Sequence, residues 1–361
     1  MFGVRSSGKT LLELQWRGML SDYVTAIAWS PDGETLAAST GSGDVGIWHS
    51  GTLEILQSGS SLAVDALAFS RDGKFLAASG QDGTVKIWQM SAVAGDERSP
   101  LHTLNYAPAW IDRLAWSPTT DQLAFSTGRV VQLWDAKVGN VLAELNFAAS
   151  SVQDLAWHPQ GEFLAVAGYQ GVKIWDDLNW KDDPYILSIP SATGTIAWSP
   201  NGEYLAAANQ DGTLTVLQWG NPHPWVMQGF PGKLRSLAWS SQTTAQGAPL
   251  LAVSSGFTVA VWEKHRDEKQ GWTARSLDVH DGFVGTIAFQ PGTLLLASGA
   301  EDGQIFLWER ARKLAQMLDS VTTGFSCLSW NRGGDRLAAG GMAGELFIWS
   351  KSQRGRGFGA Q

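Results

Sequence analysis

The chain of 361 residues has a single cysteine, Cys327, so no internal disulfide can brace it. A lone Cys following Ser326 in a strand-like run is expected to be a buried, inert thiol. Positive charge is also scarce: 26 Lys and Arg stand against 34 Asp and Glu, a formal net charge of -8. Such a surface repels nucleic acid and anionic membranes on average. No run of apolar residues is long enough for a membrane-crossing helix. Met1 to Thr10 lacks the apolar stretch of a secretory signal. The six histidines, His49, His102, His158, His223, His265 and His280, are scattered. None lies at metal-ligand spacing from another or from Cys327. These absences point to a soluble cytoplasmic protein with no cofactor, no metal, no membrane and no nucleic-acid partner.

What is present is repetition. Eight times a small residue precedes an aromatic and a polar turn residue: Ala28-Trp29-Ser30, Ala68-Phe69-Ser70, Ala115-Trp116-Ser117, Ala156-Trp157-His158, Ala197-Trp198-Ser199, Ala238-Trp239-Ser240, Ala288-Phe289-Gln290 and Ser329-Trp330-Asn331. Successive aromatics are 40, 47, 41, 41, 41, 50 and 41 residues apart. Each triplet leads to a turn, a small apolar run, a second turn and a short strand ending at Trp48, Trp88, Trp134, Trp175, Leu217, Trp262, Trp308 or Trp349. A period near 41 residues built of short strands predicts an all-β propeller.

The second repeat shows the unit. Val64 to Ser70 is an apolar run closed by the turn Ser70-Arg71-Asp72-Gly73, where Asp bonds nearby backbone and Gly takes positive φ. Phe75 to Ser79 is a buried strand, Gln81-Asp82-Gly83-Thr84 a hairpin turn, and Val85 to Trp88 an alternating strand. A fourth strand near Leu101 to Leu104 completes an antiparallel sheet. On these residues the chain resembles the WD-repeat propeller family over roughly residues 10 to 350. Thr10 to Arg17 reads as a lone outer strand, and no strand follows Trp349. The resemblance therefore implies eight four-stranded blades, with the ring closed by the N-terminal strand pairing with the last blade. Residues 1–9 read as a flexible leader and 351–361 as a disordered basic Gly-rich tail.

In that family a hydrogen-bonded tetrad joins a His, a Ser, an Asp and the closing Trp. Only the seventh repeat carries all four, as His280, Ser298, Asp302 and Trp308. Repeats two and five keep Asp82 and Asp211, but Ala78 and Ala207 stand where Ser is expected. Apolar packing of aromatics must therefore hold most blades.

Three other features invite chemistry, each with a plainer reading beside it. Gly3-Val4-Arg5-Ser6-Ser7-Gly8-Lys9-Thr10 spells a phosphate-binding loop, which requires a strand before it and a helix after it. Only two residues precede it, and a strand pattern follows, so a leader is the better reading. Asp176, Asp177, Asp182 and Asp183 crowd one loop without the glycine and alternating ligands of a calcium loop; a solvated acidic turn fits better. The mixed charges of Glu263 to Lys269 read as an exposed loop.

The family resemblance places the residue before each inner strand at the mouth of the channel. By the repeat these are Tyr23, Ala63, Trp110, Ser151, Ala192, Lys233, Phe283 and Gly324. Tyr23, Trp110 and Phe283 form an aromatic arc, joined on that face by Gln81, Gln210 and Glu301; the alternative is that the three rings fold onto their own blades. Extra residues in Met90 to Pro100, Ser241 to Pro249 and Lys264 to Gly271 are expected on the opposite face. The expectation is a non-enzymatic scaffold binding a protein or peptide, as a monomer or a subunit of a hetero-complex. A small-ligand or metal sensor is the alternative. A propeller enzyme would require His and carboxylates converging on the inner strands, where Ala, Ser, Thr and Leu are read.

Overall fold

The structure, a computed structural model, describes residues 10–90, 99–318 and 320–352. The eightfold triplet has a physical cause at each of its positions. The third residue holds the turn: the hydroxyls of Ser30, Ser70 and Ser199 accept the N–H groups of Thr35, Phe75 and Tyr204 at 2.9–3.0 Å. The Asn331 side chain does the same for Arg336 at 3.0 Å. The central tryptophan ties one repeat to the one before it. Trp116, Trp157 and Trp239 donate their indole N–H to the backbone oxygens of Ala68, Ala115 and Ala197, at 3.0–3.1 Å. Trp330 reaches Ala288 in the same way, and Trp29 closes the circle onto Ser329 at 3.0 Å. A small first residue leaves its carbonyl accessible to the next repeat's ring.

The innermost strands touch in a closed cycle. It runs through Val24–Trp29, Val64–Phe69, Leu114–Trp116, Asp154–Trp157, the C-terminal half of Tyr185–Trp198, Leu234–Thr243, Val284–Phe289 and Phe325–Trp330. Outside each lies an antiparallel meander whose second strand is buried along most of its length, as in Leu36 to Thr40 or Leu296 to Ala300. The first strand, Leu12–Met19, pairs antiparallel with Glu345–Lys351 as the outermost strand of that sheet, so both ends of the described chain share one blade.

The blade number departs from expectation. Counted by hydrogen-bonded sheets the ring has seven blades, not eight: six of four strands and one of six. The fourth and fifth repeats share the large sheet because Tyr185–Trp198 is one unbroken strand of 14 residues. Its N-terminal half pairs with Gly171 to Ile174, Ala192 pairs with Tyr169, and its C-terminal half pairs with the strand Tyr204–Asn209. Elsewhere a loop separates outer from inner strands, whereas here the connecting residues themselves join the ladder.

Apolar contact between neighbouring sheets forms the core. Trp48, Trp88, Trp134 and Trp349 are at most 2% exposed, each burial contributing about 2–3 kcal/mol. In the seventh repeat the tetrad is complete. Trp308 donates its indole N–H to Ser298 at 2.9 Å, Ser298 lies 2.8 Å from His280 Nε2, and His280 Nδ1 lies 2.9 Å from Asp302. These partners assign Nδ1 as the protonated nitrogen of a neutral ring. By contrast, the indole nitrogens of Trp48, Trp134, Trp262 and Trp349 are buried without a partner. The equivalent second-strand residues there are Ala38, Phe125, Val253 and Ala339, which carry no acceptor.

Candidate functional site: the loop face of the ring

In every meander the first-to-second and third-to-fourth connections lie at one end of the sheet. The second-to-third turns and the loops into the next inner strand lie at the other. This second end is a face knitted by main-chain bonds. Gly41, Gln81, Gln210, Glu301 and Met342 donate N–H to the carbonyls of Tyr23, Ala63, Ala192, Phe283 and Gly324, at 2.8–3.0 Å. Bonds between repeats join them laterally: Leu20 to Gly344, Tyr106 to Gly83, Val152 to Gly128, Val284 to Gly256 and Val321 to Gly303, all 2.8–2.9 Å. Glycine is required at such a stitch. A Cβ on Gly303, at φ +76°, would sit 1.8 Å from the Val321 carbonyl oxygen.

This frame places the residues singled out in the sequence. Trp110 is 64% exposed, Tyr23 42% and Phe283 41%. Tyr23 lies across Gly41 of its own repeat, whose added Cβ would meet the ring at 2.1 Å. Phe283 packs edge-on against Phe257 at 4.9 Å, and the Arg235 guanidinium lies 4.7 Å from its ring centre. Arg235 also pairs with Glu301 at 3.1 Å. Phe283 and Glu301 are thus brought together, with Arg235 between them. Lys233 is exposed and has no ion pair among the described residues. Gln81 is half-buried and Gln210 exposed, both anchored through their main chain. The sequence reading missed Arg235, together with the exposed Phe257, Tyr169, Leu62 and Met342. For Phe257, Leu62 and Met342 the available signal was a place in a turn or loop of the repeat, whereas Arg235 and Tyr169 lie within strands.

The inner strands also differ from expectation. They are not lined only by Ala, Ser, Thr and Leu: Asp65 and Asp154 lie in the inner strands of repeats two and four, and Asp112 and Arg113 lead directly into that of repeat three. Arg113 Nε lies 3.5 Å from Asp154, while Asp154 accepts the Ile196 and Leu155 N–H groups at 2.9 and 3.0 Å. Asp112 accepts from Ser126 Oγ at 3.0 Å. Burial pushes the Asp154 carboxyl up against the opposing pull of Arg113. Burial and then the neighbouring Asp112 raise Asp65. The bonds of Asp154 to Ile196 and Arg113 link neighbouring repeats, and that of Asp112 to Ser126 lies within one.

The remaining candidates are dispersed. His280 belongs to the tetrad. His158 is buried between the rings of Phe163 and Trp198, with Nε2 3.2 Å from the Gly202 carbonyl. In the acidic loop, Asp176 accepts the Leu178 N–H at 2.9 Å and Asp182 accepts from Asn179 at 2.7 Å, so both cap turns. Burial and then Asp176 and Glu162 raise Asp177. Among the described residues no three His, Cys, Asp or Glu side chains converge as a metal site. The phosphate-loop pattern lies outside the described residues except for Thr10, and the segment after it is the strand Leu12–Met19. The leader, most of the basic tail and residues 91–98 also lie outside them. The two insertions of the sixth repeat meet at the opposite end, where the Arg266 guanidinium bonds the Ala245 carbonyl. Cys327 is partly buried, and burial pushes its thiol up to about 11. No helix among the described residues is long and apolar enough to cross a membrane.

A closed ring of antiparallel sheets defines the class, a β-propeller, and Tyr23, Trp110 and Phe283 stand exposed on the loops of one face. Two family models match. That for the WD domain, G-beta repeat, covers residues 12–49, 52–89 and 271–309. That described as eukaryotic translation initiation factor eIF2A covers residues 89–216. With the repeat and the ring, they make this chain a WD-repeat β-propeller.

Proposed function

We propose that the chain is a non-enzymatic interaction scaffold that docks a protein or peptide on the loop face carrying Tyr23, Trp110 and Phe283, with Lys233, Gln81, Gln210 and Glu301 around them. WD-repeat propellers commonly serve as protein-interaction scaffolds, a warrant from fold alone. One observation carries the reading: large exposed aromatics stand on a face whose backbone is hydrogen-bonded around the ring. Aromatic anchors on a pre-ordered surface lose little entropy on binding. The scaffold acts in the cytoplasm as a monomer or as a subunit of a hetero-complex.

The test is affinity capture from native extract with wild type and with Tyr23→Ala, Trp110→Ala and Phe283→Ala combined, after matching their thermal melts. A protein held stoichiometrically by wild type and lost by the variant supports this face. Undiminished capture of the same protein moves the site elsewhere, first to the paired insertions of the sixth repeat.

A further inference from the structure

The loop face is electrically divided. In repeats seven, eight and one, the loops 278–283, 320–324 and 20–23 and the turns 301–304, 342–345 and 41–44 carry seven carboxylates and no Lys or Arg. In repeats three, four and six, the loops 106–110, 148–151 and 228–233 and the connecting segments 128–129, 169–171 and 256–257 carry two cations, Arg129 and Lys233, and no carboxylate, while the turns of repeats two and five carry one carboxylate each, Asp82 and Asp211. The acidic side is also where exposed apolar groups stand beside carboxylates. Tyr23 follows Asp22, Phe283 lies two residues after Asp281, and Met342 shares a turn with Glu345. Asp22, Asp281 and Glu345 have no ion pair among the described residues. Asp22 and Glu345 accept only from neutral groups, such as the Tyr23 and Ala343 N–H.

One place on this surface shows how it holds a cation. The Arg235 guanidinium is stacked on Phe283 and paired with Glu301. An aromatic face and a carboxylate together suit guanidinium because its plane stacks while its edge donates. Tyr23 beside Asp22, in the first repeat, offers an aromatic ring and a carboxylate again, while Met342 and Glu345, in the eighth, set an apolar side chain and a carboxylate in one turn; neither carboxylate has an ion pair among the described residues.

We propose that the acidic arc of repeats seven, eight and one docks an arginine-bearing, partly apolar segment of a protein partner. The inference rests on the loop-face reading and names the chemistry of its partner. Guanidinium groups of the segment pair with Asp22, Asp281 and Glu345, while its apolar side chains cover Tyr23, Phe283 and Met342. The surrounding carboxylates steer approach and make binding salt-sensitive.

The probe is a labelled peptide, Gly-Arg-Leu-Gly-Arg-Phe-Gly-Arg, with a Glu-for-Arg analogue, followed by fluorescence anisotropy on the full chain. Wild type is expected to bind the arginine peptide and not the analogue. Combining Asp22→Asn, Asp281→Asn and Glu345→Gln is expected to weaken binding about tenfold or more. Combining Asp176→Asn, Asp182→Asn and Asp183→Asn removes the same charge away from the face and is expected to change it little. Equal losses in the two variants, binding of the Glu analogue, or no binding by wild type overturns the inference. In capture from extract, retention by the carboxamide variant with loss by the aromatic variant sinks this inference and leaves the loop face standing. Retention by both sinks the loop face as well.

Discussion

The two sides of the loop face share one backbone and differ in nearly everything else. On both, the second-to-third turns are tied to the neighbouring loops by N–H···O=C bonds of about the same length, as at Val321 to Gly303 and Val152 to Gly128. One side presents carboxylates beside Tyr23, Phe283 and Met342, whereas the other presents Arg129, Lys233 and the exposed Trp110 and Tyr169. Main-chain bonding fixes the frame without constraining side chains that point away from it. Chemistry can therefore vary around the ring at little cost to the fold. Beneath the acidic side sits the one complete tetrad, whose Asp302 also accepts the N–H groups of Asp281 and Gln304. The tetrad thus anchors the loop and the turn that carry Phe283 and Glu301.

Breaking that anchor is expected to have the largest effect. His280→Ala leaves the Ser298 hydroxyl and the Asp302 carboxylate without their partner, at a cost of about 3 kcal/mol in denaturant unfolding. It should also loosen the 278–283 loop, read as faster amide exchange there than around 148–151. Equal exchange in both loops would separate the tetrad from the acidic side.

Acid should act on the same group. Desolvation lowers the His280 pKa, opposed by its bond to Asp302. With the folded value depressed below the unfolded one near 6.5, protonation favours the unfolded chain. Stability should therefore be insensitive to this ring above about pH 7 and fall as pH drops through about 6.5 toward the folded value. A His280→Gln variant should lose that part of the slope. Identical slopes in the two proteins would count against a depressed His280.

The smaller change works in the opposite direction. Ala38→Ser offers the buried Trp48 indole N–H the acceptor that Ser298 gives Trp308. The expected gain is about 1 kcal/mol, with no effect on capture of a partner. Cys327, with its thiol raised to about 11, should react slowly with a thiol reagent at pH 8 in the native chain and rapidly in urea. Equal rates would mean that the seam between the eighth and first repeats opens readily.

The repeat was legible because each letter of the triplet has a local job: a small residue bares a carbonyl, Trp bonds it, and Ser closes a turn within five residues. Such short-range demands leave a trace in sequence. The sheet count was not legible, since each motif was equated with one sheet. Whether Pro190 to Ala192 loops out or joins the ladder depends on long-range pairing with Tyr169. The charges of Asp65 and Asp154 stand in inner strands, and those of Asp112 and Arg113 just before one, where the prevailing small residues mask them. Tyr23, Trp110 and Phe283 were picked out by register alone. Phe257 and Arg235 were missed because they come from a different repeat and meet Phe283 only in space.

The most direct measurement is partner capture by two variants matched in melting temperature, Tyr23→Ala with Phe283→Ala on the acidic side and Arg129→Ala with Tyr169→Ala on the other. The account predicts that the first pair loses the partner, by about 2 kcal/mol or more in affinity, and that the second keeps it. Loss confined to the second pair, or capture indifferent to both, would contradict it.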